Sequence, residues 1–208
     1  MKYRKFSKSS KIWLNRNSKN QYVLMTKKKN LISRSWFKIH EINVRNNIFK
    51  KNMNIVDLGS SPGGWSKYVS KYINNKGKLI SCDIKKMKFL KNIMFYKGNL
   101  FNKKFLEYFL RQINKNRIDV LMSDMSPNIS GHSCVDINNS IKLLELSFYI
   151  CKNIFFKKGI YIVKAFDGKG LNEFIKILKN FFISVKINKL KSSYKNSKEL
   201  FIIGRGIK

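Results

Sequence analysis

The sequence predicts an α/β fold built on an open, mostly parallel sheet with helices on both faces. Short apolar segments with strand character alternate with segments of helical spacing along most of the 208 residues. The last two strand segments have no helix between them, so they must pair through a hairpin-like loop and the final strand must run antiparallel. No repeat, flexible linker or second apolar core interrupts the chain. We therefore expect one domain with a seven-stranded sheet.

The first predicted elements follow a polar N-terminal segment. Residues 1–30 are basic and weakly periodic, and they predict a partly ordered arm that could lie on a phosphate backbone. A frayed terminus is an equally good interpretation of the same residues. The single domain is predicted to span residues 31–208, and its first helix should begin at Ser33 or Ser35 with a serine as N-cap.

Apolar runs and turn residues place the remaining elements. The predicted strands cover approximately residues 54–58, 78–83, 93–96, 118–123, 159–166, 183–187 and 200–203. The predicted helices run from a glycine turn after the first strand to about residue 74, and then over about 103–113, 136–155 and 171–181.

The formal net charge of +33 favours RNA or DNA as a partner. The excess is mostly lysine, and it accompanies abundant asparagine and isoleucine with a single alanine, Ala165. That composition is typical of an AT-rich genome, so part of the charge has no functional meaning. A chain this basic still binds polyanions in a salt-dependent way.

Other features of the composition exclude several classes of protein. No apolar run is long enough for a membrane span, and the basic start is not followed by the apolar region of an export signal. The three cysteines, Cys82, Cys134 and Cys151, are widely spaced and form no C-x-x-C pair. We therefore expect a cytoplasmic protein without structural zinc or another metal.

Polar residues interrupt the apolar segments repeatedly at the carboxyl ends of the predicted strands, where such sheets bind ligands. The turn 59–64 after the first strand contains three glycines, which allow close approach of a ligand. Asp83 ends the second strand, where a carboxylate can accept hydrogen bonds from ribose hydroxyls. Asn99 follows the third strand and could serve an adenine edge, while Trp65 is either an apolar wall or core. The glycine spacing departs from G-x-G-x-x-G, so a nucleoside with a short acidic tail fits better than a dinucleotide.

The most informative single residue is Lys164. It follows the apolar run 160–163 in a strand expected to be buried on both faces, where an unpaired cation is costly. Unless it extends from the strand end to solvent, it needs Asp124 or Glu199 as a partner. Lys38 should reach the same edge, because its helix is expected to run against the first strand. A lysine held there could take a proton from a hydroxyl group.

Five segments together resemble the FtsJ/RrmJ family of ribosomal RNA 2′-O-methyltransferases, and most closely its bacterial RlmE type. These segments are residues 35–38 (SWFK), 57–65 (DLGSSPGGW), 122–128 (MSDMSPN), 163–166 (VKAF) and 197–199 (SKE). The resemblance implies a class I S-adenosylmethionine-dependent methyltransferase fold, which is Rossmann-like, over nearly the whole chain.

The family resemblance also implies roles for individual residues. The catalytic tetrad of the family corresponds to Lys38, Asp124, Lys164 and Glu199. Lys164 would act on the 2′-hydroxyl of the substrate. Contacts to the methyl donor would come from Gly63, Trp65, Asp83, Asn99 and Asp124. Position 99 holds asparagine where the family usually has aspartate, which could weaken the contact to adenine.

The implied substrate is a uridine ribose in the A-site loop of 23S rRNA, within the large ribosomal subunit. The lack of an added RNA-binding domain fits a large, pre-structured substrate, and we also expect a monomer. Two alternatives stay open: the same chemistry on tRNA or an mRNA cap, and a ribosome-assembly factor that binds RNA but has lost catalysis. A nicotinamide dehydrogenase is the weakest alternative, because the glycine spacing is wrong and the chain has no room for a substrate domain.

Overall fold

A computed structural model describes residues 21–208, apart from the isolated positions 75, 89, 115, 129 and 195. Residues 1–20 of the predicted basic arm lie outside this range. The end of the arm forms a helix, Gln21–Lys28, which the sequence reading did not predict. Its four apolar residues, 22–25, are consecutive rather than at helical spacing, so the sequence pattern does not mark a helix.

The described elements follow the predicted order. The helices are α1 (Gln21–Lys28), α2 (Ser35–Asn46), α3 (Gly64–Val69), α4 (Lys103–Ile113), α5 (Ser133–Ile154) and α6 (Leu171–Phe181), with a 3₁₀ turn at Ser70–Tyr72. The strands are β1 (Ile55–Leu58), β2 (Leu79–Asp83), β3 (Ile93–Lys97), β4 (Ile118–Ser123), β5 (Phe155–Phe166), β6 (Phe182–Asn188) and β7 (Glu199–Ile207).

The predicted seven-stranded sheet is confirmed, with the order β3-β2-β1-β4-β5-β7-β6. Strands β1 to β5 pair in parallel, and β7 runs antiparallel to both β5 and β6. The chain moves outward from β1 to β3 and then returns to place β4 on the other side of β1. The carboxyl ends of β1 and β4 therefore flank the switch point at which open α/β sheets bind ligands.

Successive residues of each strand enter two different cores. One core holds Val56, Leu121 and Val163 and is covered by α4, α5 and α6. The other holds Met122 and Ile162 and is covered mainly by α2 and α3. Because side chains alternate along a strand, the polar residues at the strand ends also divide between these two faces.

Helix α2 begins at Ser35, one of the two predicted positions, but its predicted serine cap is wrong. The residue before α2 is Arg34, and its side chain makes no capping hydrogen bond. The serines expected to cap this helix instead hydrogen-bond each other, with their hydroxyl oxygens 2.6 Å apart. Helix α5 begins at residue 133 rather than about 136, and β5 begins at residue 155 rather than 159. The early part of β5 was not predicted because two lysines, at positions 157 and 158, interrupt the apolar run. Helix α3 ends at Val69 and the following 3₁₀ turn at Tyr72, rather than at about residue 74, and β7 extends to Ile207 rather than 203.

Candidate active site

The turn between β1 and α3 contains two glycines with positive φ, 73° at Gly59 and 112° at Gly63. A Cβ atom at Gly59 would lie 2.7 Å from the Cγ of Met125, in the loop after β4. At Gly64 it would meet the hydroxyl groups of Ser33 and Ser35. Positions 59 and 64 therefore require glycine, because a side chain there would collide with neighbouring protein atoms.

Asp83 holds this turn in place at the end of β2. One carboxylate oxygen accepts a hydrogen bond from the backbone N–H of Ser61 at 2.9 Å, and the other accepts from that of Lys85 at 2.7 Å. Two backbone donors therefore fix the orientation of the carboxylate. Each oxygen keeps acceptor capacity for a ligand, because a carboxylate has about four lone-pair sites.

A cavity of about 490 Å³ lies at the carboxyl ends of β1 to β4 and is closed on one side by α5. Asp83, Asn99 and Asp124, all predicted from the sequence, line it. Ile84 and Phe101 line it as well, and they are 56% and 58% exposed. Exposed apolar side chains at the mouth of a cavity are typical of a binding site for a flat ring.

Asn99 shapes the cavity through its backbone as well as its side chain. Its Oδ1 accepts a hydrogen bond from the backbone N–H of Phe101 at 3.0 Å, which turns the chain and presents the Phe101 ring. The amide group faces the cavity that Asp83 also lines.

Gly63 and Trp65 have other neighbours. Neither is among the described residues that line the cavity. A Cβ atom at Gly63 would meet Met87 at 3.2 Å and Ile32 at 3.6 Å. Trp65 is 2% exposed, and its Nε1 donates a hydrogen bond to the carbonyl oxygen of Ser35 at 3.1 Å. The core interpretation of Trp65 fits this position, and donor contacts from these two residues stay a prediction.

Lys164 lies near the end of β5 and is 9% exposed. Its Nζ donates a hydrogen bond to the backbone carbonyl of Asp124 at 2.6 Å and lies 3.0 Å from Asp124 Oδ1. The second contact is an ion pair without hydrogen-bond geometry, since Asp124 Oδ1 is buried and accepts no hydrogen bond. Of the two partners predicted for Lys164, the structure pairs it with Asp124.

Glu199, the other predicted partner, pairs with Lys38. The Nζ of Lys38 donates to Glu199 Oε2 at 2.6 Å, and the two residues are 6% and 7% exposed. The second oxygen of Glu199, Oε1, accepts a hydrogen bond from the hydroxyl of Ser193 at 2.6 Å. Both oxygens of this buried carboxylate are therefore satisfied by protein groups.

The register of β5 and β7 places the two ion pairs on one face of the sheet. Lys164 lies opposite Phe201, and Phe166 lies opposite Glu199. Lys164 and Glu199 are thus diagonal neighbours on the same face, roughly 7–8 Å apart by strand geometry. Lys38 approaches from α2, with its Nζ 5.7 Å from the centre of the Phe201 ring.

A further carboxyl group lies buried beneath the glycine turn. Asp57 is fully buried, and its Oδ2 accepts a hydrogen bond from the hydroxyl of Ser66 at 2.6 Å. Its Oδ1 has no hydrogen-bond partner. Burial raises the pKa of Asp57 to about 8, and the carboxylates of Asp124 and Asp83 add to this effect against the hydrogen bond from Ser66. Asp57 therefore stays protonated to a higher pH than an ordinary aspartate does.

Comparison with known proteins adds the family to this geometry. The model of the FtsJ-like methyltransferase family matches residues 31–207. This chain belongs to the FtsJ-like methyltransferase family. The match covers both ion pairs and the whole cavity, so the described site lies within the region that defines the family.

Full-length relatives of this FtsJ-like chain include two proteins named ribosomal RNA large subunit methyltransferase E. The one from Buchnera aphidicola subsp. Cinara cedri is 46% identical, over 99% of this chain and 98% of its own length. The one from Buchnera aphidicola subsp. Schizaphis graminum is 42% identical, over 96% of this chain and 97% of its own length. A solved structure described as a ribosomal RNA methyltransferase from Plasmodium falciparum is 28% identical, covers 84% of this chain and 97% of its own, and superposes with a TM-score of 0.73.

Several residues of the site in this FtsJ-like protein escaped the sequence reading. Ile84 directly follows the predicted Asp83, and Phe101 comes two residues after the predicted Asn99. Their positions just after strand ends were the available signal. Ser193 gave no signal, because a serine in a polar loop is unremarkable until its partner is known. Asp57 is the first residue of the glycine motif 57–65, and its position there did not mark it as a separate buried acid.

Two classes of feature are missing from the described part of this FtsJ-like chain. No helix there is both long and apolar enough to cross a bilayer. No three histidine, cysteine, aspartate or glutamate side chains in that part are grouped as a metal site would require.

Proposed function

We propose that this methyltransferase uses S-adenosylmethionine to methylate the ribose 2′-hydroxyl of a uridine in 23S rRNA of the large ribosomal subunit. One observation carries the proposal: Asp124 both lines the cavity and pairs with the buried Lys164. A methyl donor in the cavity and a hydroxyl beside the lysine would meet at that residue. The choice of large-subunit RNA rests on the names of the relatives, and uridine rests on the family resemblance.

The cavity residues fit the chemical groups of the methyl donor. Its 490 Å³ volume is within the range of small-molecule sites. Asp83, oriented by two backbone N–H groups, offers acceptor capacity to ribose hydroxyls. Ile84 and Phe101 offer apolar surface to an adenine ring, and the amide of Asn99 can hydrogen-bond its edge. When bound, S-adenosylmethionine supplies an electrophilic methyl carbon on a sulfonium.

Lys164 and its partners would manage the acceptor hydroxyl. In an in-line displacement the 2′-oxygen attacks the methyl carbon and loses its proton, so alignment should supply most of the rate. Lys164 would contact the 2′-oxygen and receive or orient that proton. Asp124 holds the lysine through its carboxylate and its backbone carbonyl. Lys38 would contact a neighbouring phosphate group from the same face of the sheet, and Glu199 would hold Lys38 in place.

The charge of the chain supports an RNA substrate. A formal net charge of +33 favours association with the phosphate backbone, which depends strongly on salt concentration. The buried tetrad uses two of the 44 basic residues, so most of the positive charge lies elsewhere in the chain.

The test is transfer of a labelled methyl group from S-adenosylmethionine to three purified substrates. These are large ribosomal subunits from cells without this methylation, naked 23S rRNA and bulk tRNA. We expect transfer to the assembled subunit, with the label mapping to one uridine 2′-oxygen. Preferred transfer to tRNA would instead favour the same chemistry on another substrate.

Donor binding without transfer to any RNA would contradict the proposal. Calorimetry with S-adenosylmethionine separates that result from a misfolded preparation, because a folded protein that has lost catalysis should still bind the donor. This outcome would favour a ribosome-assembly factor.

A further inference from the structure

The loop between β6 and β7 is fastened to helix α2 by one carboxylate. Glu41 accepts hydrogen bonds from the backbone N–H groups of Lys191 and Ser192, at 2.9 and 3.0 Å. It also accepts from the hydroxyl of Ser192 at 2.8 Å. A second contact comes from Arg45, which donates to the carbonyl oxygen of Lys189 at 3.1 Å. The backbone on the N-terminal side of Ser193 is therefore held in place by α2.

Ser193 faces in the other direction, toward the tetrad. Its hydroxyl oxygen is 2.6 Å from Glu199 Oε1, and the residue is 8% exposed. The opposite oxygen, Oε2, is 2.6 Å from the Nζ of Lys38. Each oxygen of the Glu199 carboxylate therefore accepts one hydrogen bond, one from the β6–β7 loop and one from α2.

Loss of the Ser193 hydroxyl would leave Glu199 Oε1 buried without this donor. A buried acceptor that loses its partner costs free energy, and the remaining contact to Lys38 would no longer fix the rotation of the carboxylate. Lys164 is the diagonal neighbour of Glu199 across the two strands. Because Lys38 is bound to Glu199, a change in the orientation of this carboxylate would also move Lys38 relative to Lys164.

We propose that Ser193 is a positioning residue of the methyl transfer, acting through Glu199; this inference rests on the proposed function. The alternative is that the Ser193 hydroxyl only stabilises the folded loop. The neighbouring Ser192 provides a control that distinguishes these two roles. It is also buried, at 3% exposure, and its hydroxyl also donates to a carboxylate, but that carboxylate is Glu41, outside the tetrad.

The experiment compares Ser193→Ala with Ser192→Ala in the full chain. Four quantities are measured: kcat, KM for large subunits, Kd for S-adenosylmethionine, and Tm. We expect S193A to lower kcat roughly tenfold, the effect of losing one hydrogen bond to a charged group, while KM and donor Kd stay near wild type. S192A should keep kcat within about twofold of wild type even where Tm falls equally.

A double-mutant cycle tests the route through Glu199. In an E199A background, S193A should lower kcat no further, because the group through which it acts is gone. Ser193→Thr, which keeps the hydroxyl, should recover most of kcat. If S193A proves too unstable to purify, Ser193→Cys replaces it, since a thiol has similar volume and is a weak donor.

Three results would overturn the inference: equal loss of kcat in S193A and S192A, S193A activity within about twofold of wild type, or an undiminished S193A effect in the E199A background. Failure of the proposed function gives a different result, because the wild-type chain itself would then transfer no methyl group to large subunits.

Discussion

The candidate site has two halves, which hold their carboxylates in different ways. The donor half is the cavity lined by Asp83 and Asn99, and the acceptor half is formed by the ion pairs Lys38–Glu199 and Lys164–Asp124. In the donor half, Asp83 accepts hydrogen bonds from backbone N–H groups of Ser61 and Lys85, only 22 and 2 residues away in the chain. In the acceptor half, Lys38 and Glu199 pair across 161 residues. The donor half is thus built from short segments at neighbouring strand ends, and the acceptor half from side chains brought together by the whole fold.

This difference indicates what each half can tolerate. A carboxylate held by backbone keeps its place when a side chain elsewhere is lost. A buried carboxylate paired with a lysine does not, because removal of either partner leaves an uncompensated charge. Substitutions in the acceptor half should therefore affect the reaction rate most, and those in the donor half should affect mainly donor affinity.

Replacement of Lys164 should have the largest effect. Lys164→Ala removes the group proposed to contact the 2′-hydroxyl, and we expect single-turnover transfer to large subunits to fall at least about 100-fold. Donor binding, measured by calorimetry, should be retained. Lys158→Ala is the control, since Lys158 is an exposed lysine of the same strand. Full-rate transfer by K164A would remove this lysine from the reaction.

Replacement of Asp83 should mainly weaken donor binding. Asp83→Ala removes the proposed acceptor for the ribose hydroxyls and loosens the glycine turn, so we expect the donor Kd to rise at least about tenfold. The rate at saturating donor should change much less. Asp119→Ala is a matched control, because Asp119 is also half-buried and accepts from a backbone N–H, that of Asn54 at 2.8 Å, at the other end of the strands. Equal Kd values for D83A and D119A would exclude Asp83 from the donor site.

The buried acid of the donor half should appear in the pH dependence of stability. Asp57 has a raised pKa of about 8 in the folded protein against an ordinary value of 3.8, so its contribution to stability is full below about pH 4 and is lost as pH rises to about 8. Asp57→Asn removes this titration. The difference in unfolding free energy between wild type and D57N should therefore shift against wild type by a few kcal/mol over that interval. Denaturant titrations at several pH values measure it, and a constant difference would contradict the buried neutral acid.

The smallest expected effect is at Asn99. Asn99→Asp keeps the oxygen that accepts from Phe101 N–H, and it replaces the amide nitrogen with a second oxygen. The amide nitrogen can donate to a ring nitrogen of adenine, whereas a carboxylate oxygen can accept from its amino group. Each side chain can thus make one hydrogen bond to the adenine edge, and we expect the donor Kd to change by less than about fivefold. A larger change, in either direction, would mean that this residue and not the apolar pair Ile84 and Phe101 dominates adenine binding.

The fold and the donor half were largely predictable because their signals are local. Apolar runs marked all seven strands, and Asp83 and Asn99 were recognisable from their positions at strand ends. The helix Gln21–Lys28 could not be found this way, since its apolar residues are consecutive and show no helical spacing. The expected serine cap failed because Ser33 and Ser35 bond to each other, a choice that depends on where the chain folds back onto Gly64.

The acceptor half was predictable only in part. Lys164 stood out as a cation in an apolar strand, but the sequence left its partner open between Asp124 and Glu199. The choice depends on the register of β4 and β5, which continues past Ser123 and Val163 to bring Asp124 beside Lys164. Ser193 was invisible for a similar reason, because the contact that gives it meaning exists only after the β6–β7 loop folds onto α2.

Asp124 belongs to both halves, and this has a consequence for the order of binding. Asp124 lines the cavity and also pairs with Lys164. If the methyl donor binds in the cavity and RNA beside Lys164, as proposed, each ligand would contact groups that the other orients. Any change that the donor makes in RNA affinity would then be matched by an equal change that RNA makes in donor affinity. The spent methyl donor would lack the positive sulfonium that the carboxylate of Asp124 attracts. It and the modified RNA would therefore dissociate more readily than the two substrates do.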